Sequence, residues 1–310
     1  MADALHILGS SGLIGAAIAA RLAARRPRLL GRGAGMDMPL DLSDMAALQA
    51  GLFPGGGALV HAAGVTDEEF ASDISAAWQR SALGSKALIA AAKAAGVTRV
   101  VYVSTAHVYG PLEGEIDEAR PVNPMNDYAL AHYAAEQWFR RAARVDGMDV
   151  LILRPCAVYG LPPDLTRFKR WSLIPFSFPR ELLEHGAITL KSDGSQRRNF
   201  VSASAIAAQV AAFLAEPALP GRCRVVNPVG PDDMTVLDFA EQCVALLAPL
   251  MPARGRVLRP EGKSAAGLGP APLLYRSAYT SADARSTLDE TIRALGARLR
   301  ADLSVLTQKP

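Results

Sequence analysis

Leu5–Gly15 reads LHILGSSGLIG. A short apolar run breaks at a glycine-punctuated turn and passes into an Ala-rich segment, which predicts a strand, a tight turn and a helix from about Leu13 to Ala24. Gly9, Gly12 and Gly15 fall in the spacing G-x-x-G-x-x-G. The first allows a sharp exit from the strand, the second removes a side chain where backbone must approach a ligand, and the third lets the helix pack closely on the sheet. The helix start would aim unpaired N–H groups and the positive end of its dipole at one spot, which suits a pyrophosphate. Gly9, Ser10, Ser11, Gly12, Leu13, Ile14 and Gly15 are therefore the candidate cofactor-binding turn.

Outward from that unit, strand and helix alternate. Arg28–Gly31 and Met38–Leu40 read as brief strands, and Ser43 or Asp44 is placed to cap a helix over Met45 to Ala50. Ala58–His61 reads as a buried parallel strand, followed by a long helix from about Phe70 to Ala95 and a strand over Val97 to Ser104. Another helix spans roughly Tyr128 to Val145, and a further strand Val150 to Leu153. Strands separated by helices imply right-handed crossovers, so the expected fold is α/β, a Rossmann-type doubly wound parallel sheet. Past Arg154 prolines cluster up to Pro179, and Gly255–Pro272 reads as loop. The expected division is a dinucleotide-binding domain over residues 1–154 and a smaller C-terminal substrate domain from 155–195 and 217–310. A return segment near 196–216, with a helix around Val201 to Ala215, is assigned to the first domain.

Among 310 residues, 50% are hydrophobic and 20% charged, an ordinary balance for a soluble globular chain. The net charge of +3 is too small to argue for a nucleic-acid partner. Cys156, Cys223 and Cys243 are few, widely spaced and odd in number, which suggests neither a disulfide framework nor a metal cluster and fits a reduced, cytoplasmic setting. His107 and His185 lack partners at metal-ligand spacing, and no metal is expected. The opening MADALHIL has no basic leader, and no segment reaches ~18 uninterrupted apolar residues, so neither secretion nor a membrane span is expected.

Several ordered signatures carry a resemblance. Gly9-x-x-Gly12-x-x-Gly15, His61-Ala62-Ala63-Gly64, Val103–Gly110 (VSTAHVYG), Tyr128 and Arg154–Gly160 (RPCAVYG) resemble the extended short-chain dehydrogenase/reductase family, which includes sugar-nucleotide epimerases, dehydratases and reductases. Gly194–Val201 (GSQRRNFV) and Val226-Asn227-Pro228 resemble its later pieces. The resemblance implies hydride transfer between a nicotinamide and a carbonyl or carbinol of a nucleotide sugar or similar polar metabolite. It implies Thr105 as the hydroxyl that holds the reacting oxygen and Tyr128 as the acid/base. Ala62, Ala63, Gly64 and Pro155 would border the cofactor, Asp41 and Leu42 its adenine, and Arg198 the substrate phosphate. A homodimer is implied through the helices Phe70–Ala95 and Tyr128–Val145, whose Ala-rich faces carry Trp78 and Trp138. Taken alone, Thr105 also reads as a strand-end hydroxyl bonding backbone, Asp41 as a helix cap, and Asp67-Glu68-Glu69 as an acidic helix start.

The chain departs from the family pattern at three positions. His132 stands where the family has a lysine, four residues after the tyrosine, and the i, i+4 spacing still sets both groups on one helix face. An imidazole of ordinary pKa, near ~6.5, would be cationic only on the acid side of neutrality, so Tyr128 and His132 are expected to pair, with oxidation slow near neutral pH. Ser81 and Ala157 replace asparagines. These departures keep a second class open, a cofactor-binding pseudoenzyme or sensor of the same fold. At the end of the second strand, Leu30-Gly31-Arg32-Gly33 offers Arg32 and no acid before Asp37, so NADP is expected, with NAD as the alternative.

Overall fold

The opening apolar run forms β1 (Leu5–Leu8), every residue of it buried. The computed structural model describes residues 4–33, 35–48, 50–260, 272–279 and 287–302. After β1 come α1 (Leu13–Arg21), β2 (Arg28–Gly31), β3 (Met38–Pro39), β4 (Gly57–His61), α2 (Asp67–Ser72), α3 (Ile74–Trp78), a π-helical turn at Gln79–Leu83 and α4 (Gly84–Ala94). The chain continues through β5 (Val97–Val103), β6 (Glu115–Ile116), α5 (Asp127–Asp146), β7 (Asp149–Leu153), β8 (Ala157–Tyr159), α6 (Ile174–His185) and β9 (Ala187–Thr189). It closes with β10 (Arg197–Ser202), α7 (Ala203–Ala215), β11 (Cys223–Val226), β12 (Asp232–Thr235), α8 (Val236–Leu247), β13 (Arg256–Leu258), β14 (Leu274–Tyr275) and α9 (Leu288–Ala301).

Seven strands form one parallel sheet in the order β11-β7-β5-β4-β1-β2-β3. Helices cover both faces, as apolar parallel strands require. One face buries Leu59, Val100, Tyr102 and Ile152 under Leu88, Ala92, Ala135 and Phe139 of α4 and α5. The other buries Ile7, Val60, Val101 and Leu153 under Ile18 of α1 and Ile206, Val210 and Phe213 of α7. Each such large side chain contributes roughly 1.5–3 kcal/mol by leaving water. The strand order reverses between β1 and β4, and the crevice beyond their carboxyl ends is where open α/β sheets hold ligands.

Beyond the sheet, β8, β10 and β12 form a small mixed sheet, and β9 pairs with β13. Tyr159, Phe178, Leu182, Phe200 and Phe239 pack in a separate cluster among these elements and α6, α8 and α9. The segment read as loop from Gly255 thus contains β13, while residues 261–271 lie outside the described ones.

Three local expectations change. No α-helix forms over Met45 to Ala50; the described residues there make turns, with Asp44 Oδ1 accepting from the N–H groups of Ala46 and Ala47 at 3.1 Å each. A nucleus this short has too few backbone bonds to propagate. The long helix starts earlier and is broken. Thr66 and Glu69 form a capping box that begins α2 at Asp67, and Asp73 leaves helical geometry (φ −152°, ψ 94°) to cap α3 through Ala76 N–H. The return helix begins at Ala203 because Ser202 Oγ accepts from Ala205 N–H at 3.0 Å, which leaves Val201 in β10.

Candidate active site

The glycine turn after β1 is as tight as its spacing suggests. Gly9 holds φ +89°, and a Cβ there would stand 2.5 Å from Ala63 N, so the ends of β1 and β4 touch through bare backbone. A Cβ on Gly15 would meet Gly9 O at 2.1 Å. Gly12 is the N-cap of α1, with no side-chain cap bond and no acid in the first turn, which leaves the N–H groups of Leu13 and Ile14 directed at the crevice. Ser10 is buried and Ser11 exposed beside Gly33. This cradle fits a pyrophosphate, with Ala62, Ala63 and Gly64 on its far side.

At the end of β2, Arg32 reaches Glu69 Oε1 at 3.5 Å and Asp41 Oδ2 at 4.0 Å. Arg80 ties the same two carboxylates, at 3.2 Å to Asp41 and 3.1 Å to Glu69. Asp41 Oδ1 also accepts from the Ser43 N–H and Oγ. Burial works against ionisation of that carboxyl, but the Ser43 and Arg80 bonds prevail and hold its pKa below the usual range. Leu42 is buried, its carbonyl 2.6 Å from where a Gly84 Cβ would stand. Arg167 brings a further guanidinium to the same rim, its Nη2 lying over Gly33 beside Ser11.

Tyr128 lies in the first turn of α5, which Asn126 caps by accepting from Ala129 N–H at 2.8 Å. Its ring meets the His132 ring edge-on at 4.7 Å and the His107 ring at 6.2 Å. The Arg170 guanidinium stands 5.6 Å from the Tyr128 ring centre. Thr105 is buried at the end of β5, its Oγ1 accepting from His107 N–H at 3.2 Å, and its O–H remains able to donate. The backbone reading of that hydroxyl is therefore present alongside the functional one.

The expected hydrogen-bonded pair of Tyr128 and His132 does not form in this way. His132 Nδ1 is taken by the Tyr102 hydroxyl at 2.7 Å, and Gly64 faces its other nitrogen. Burial, reinforced by the charge of Arg170, pushes its pKa down to about 3. The ring is thus neutral across the physiological range, and the proposed switch of its charge near pH 6.5 is lost. Ser81 turns its hydroxyl back to the Ala77 carbonyl at 2.8 Å inside the π-helical turn, away from the crevice.

Beneath Tyr128, Glu136 and Arg154 form a bidentate pair, and Pro155 follows directly. Arg198 donates to the Arg197 carbonyl at 2.8 Å and borders a cavity of about 270 Å³ with Leu112, Glu113, Gln196 and Thr235. Arg197 is held by Asp233 at 2.8 Å, and Asn199 grips Gly230 through two backbone bonds. Cys156 is half-buried, with its thiol pKa raised by burial. Among the described residues no group of three or more His, Cys, Asp or Glu side chains could hold a metal, and no helix is long and apolar enough to cross a membrane. Sequence reading missed Arg80, Arg167 and Arg170, although the basic run Arg167, Lys169, Arg170 within a proline-rich segment was a visible signal.

Two buried imidazoles give the first prediction. His61, bonded to Ser85 Oγ at 3.2 Å, is also pushed down to about 3 by burial. Unfolded, both rings would protonate below ~6.5; folded, they resist until about 3. The unfolded chain binds more protons in that window, so stability falls as pH falls, by up to ~1.4 kcal/mol per pH unit for each ring. Urea unfolding at pH 7 and pH 5 should show a smaller loss for His132→Gln than for the parent. Equal losses would mean that the folded ring protonates as readily as the unfolded one.

The NAD dependent epimerase/dehydratase family model matches residues 5–227. The chain belongs to that family. A dTDP-D-glucose 4,6-dehydratase of Mus musculus is 31% identical over 173 residues, 53% of this chain and 44% of that protein, so the match spans less than half of the relative's length. Among solved structures, RMD from Pseudomonas aeruginosa complexed with NADPH superposes with a TM-score of 0.76 at 21% identity, covering 96% of this chain and 99% of that one. DesIV, a dTDP-glucose 4,6-dehydratase from Streptomyces venezuelae with NAD bound, gives 0.72 at 22% identity, covering 97% and 98%. At such identities these structures speak for the fold alone.

Proposed function

We propose that the protein is a nucleotide-sugar oxidoreductase or epimerase in which Tyr128 is the acid/base. The observation that supports the reading is that the Tyr128 ring packs on His107, whose N–H bonds Thr105 Oγ1, and on His132, which faces Gly64 beyond β4 beside the Gly9–Gly15 turn. A bound nicotinamide supplies the hydride donor or acceptor. Tyr128 gives a proton to the substrate oxygen or takes one from it, while the Thr105 hydroxyl donates to the same oxygen and holds it in place. Arg198, at the rim of the 270 Å³ cavity, suits a phosphate of the substrate. The 155–195 and 217–310 portions, apart from β11 at the edge of the parallel sheet, are read as the part that grips the sugar nucleotide. Turnover of NADPH or NADH against a panel of nucleotide sugars and simpler carbonyls tests this; no hydride exchange with any of them would favour the second reading, a cofactor-binding protein without turnover, which neutral His132 supports.

For the cofactor we propose NADP over NAD, because Arg32 and Arg167 bring two guanidiniums to the rim where a 2′-phosphate would sit. The carboxylates of Asp41 and Glu69 keep NAD as the alternative. Arg32→Ala should weaken NADPH binding about tenfold, the equivalent of ~1.4 kcal/mol and the lower end for a charge-assisted bond already shared with Glu69. Unchanged affinity by titration calorimetry would make Arg32 a bystander. A homodimer through α2–α4 and α5 is a further proposal. Trp78 already packs on Phe70 at 6.3 Å and Lys86 covers Trp138 at 4.9 Å, so exposed Ile74, Leu83, Leu130 and Val145 are the large apolar residues left for such a seam. A monomer by sedimentation at micromolar concentration would count against it.

A further inference from the structure

An acid/base tyrosine that must lose its proton near neutral pH needs a positive neighbour, because an unassisted phenol ionises near ~10. His132, one turn along α5, does not provide the charge, since it is buried, bonded to Tyr102 and neutral. We propose that Arg170, from the segment between β8 and α6, is the positioning residue that stabilises the phenolate form of Tyr128. This rests on the reading of Tyr128 as acid/base.

The geometry is specific. The Arg170 guanidinium stands 5.6 Å from the Tyr128 ring centre. Burial disfavours its charge, but the Tyr128 phenol, through both charge and a side-chain hydrogen bond, and then Asp67 and Glu68 more than compensate, so its pKa is raised. Glu68 also bonds the Ser172 side chain, which ties this segment to the start of α2. The other groups facing the pair are His107 from the turn after β5, His132 from α5 and the Tyr102 hydroxyl from β5, with Arg198 of β10 behind His107. Asp67 and Glu68 offset part of the positive charge of Arg170 without removing it from the phenol. Unlike an imidazole, a guanidinium keeps its charge throughout this range, so the assistance does not fade above neutrality.

The test uses ligand-free protein. Tyrosinate absorbance near ~295 nm is followed against pH for the parent, Tyr128→Phe, Arg170→Met and Arg170→Lys, with circular dichroism as the check on folding. The transition missing from Tyr128→Phe belongs to Tyr128. We expect it to move up by about one to two pH units in Arg170→Met and to return most of the way in Arg170→Lys. An unchanged midpoint in folded Arg170→Met would overturn the proposal. So would an Arg170→Lys midpoint as high as that of Arg170→Met, which would mean that packing rather than charge was removed. Because no cofactor or substrate is present, the coupling can hold even if Tyr128→Phe keeps full activity, and the two failures are told apart.

Discussion

Tyr128→Phe is expected to lower hydride transfer by ~10²–10⁴ in both directions while leaving the fold and cofactor affinity intact. The substitution removes one oxygen. The ring keeps its edge contact with His132 at 4.7 Å and its approach to His107 at 6.2 Å, so packing around the first turn of α5 survives. The cradle proposed for the cofactor is backbone of the Gly9–Gly15 turn and the start of α1, away from the first turn of α5. A loss confined to kcat would therefore be the signature of missing proton transfer rather than of missing binding. Rates in reduction and oxidation on a confirmed substrate, measured from about pH 5.5 to 9, make the comparison. Neutral His132 and permanently charged Arg170 together remove the reason to expect oxidation to fail near neutrality, so the parent should work in both directions without a titration near ~6.5. Full activity of Tyr128→Phe would take the acid/base role from Tyr128, and only an absence of hydride transfer in every variant would hand the chain to the reading of a binding protein.

What the sequence made legible was what depends on near neighbours. The glycine turn is an example: its three positions answer constraints imposed within eleven residues, and the structure meets them with clashes that any Cβ would create at Gly9 and Gly15. The parallel sheet was legible for the same reason, since each buried strand is a continuous apolar run. The break in the long helix was not, because Asp73 serves one helix by capping it and ends another by leaving helical geometry, a choice that apolar periodicity does not record. The state of His132 was harder still. Its spacing from Tyr128 is local, but its charge is decided by burial and then by Arg170 from a distant segment, while Tyr102 on a strand beneath it takes Nδ1. Arg80, Arg167 and Arg170 share that difficulty, since each acts on residues far away in the chain that only the tertiary fold brings near.

Glu136→Ala is expected to cost ~3–5 kcal/mol of stability, the largest effect of any single change proposed outside the reacting groups. Glu136 is fully buried and Arg154 is only 1% exposed. The guanidinium gives Nε to Oε1 at 2.9 Å and Nη2 to Oε2 at 2.5 Å, and Ser104 Oγ adds a bond to Oε1 at 2.7 Å. Burial works against the charge of Arg154, but the Glu136 bonds outweigh it and raise its pKa. Tyr109 stacks over the guanidinium at 4.7 Å, and the Tyr275 hydroxyl donates to the Arg154 carbonyl. Removing the carboxylate leaves a buried cation with no countercharge, which is why the single change should hurt more than the pair is worth. The double variant Glu136→Leu with Arg154→Met should recover a large part of the loss in urea unfolding, since nothing charged is then left inside. Glu136 lies two helical turns after Tyr128 on α5, and Arg154 and Ser104 end the strands that lead to Pro155 and Thr105. The pair thus fastens the helix carrying the phenol to the strand ends carrying the hydroxyl. If the double variant regains stability but not activity, the ion pair is kept for the alignment of Tyr128 with Thr105; if Glu136→Ala costs under ~1 kcal/mol, it holds neither.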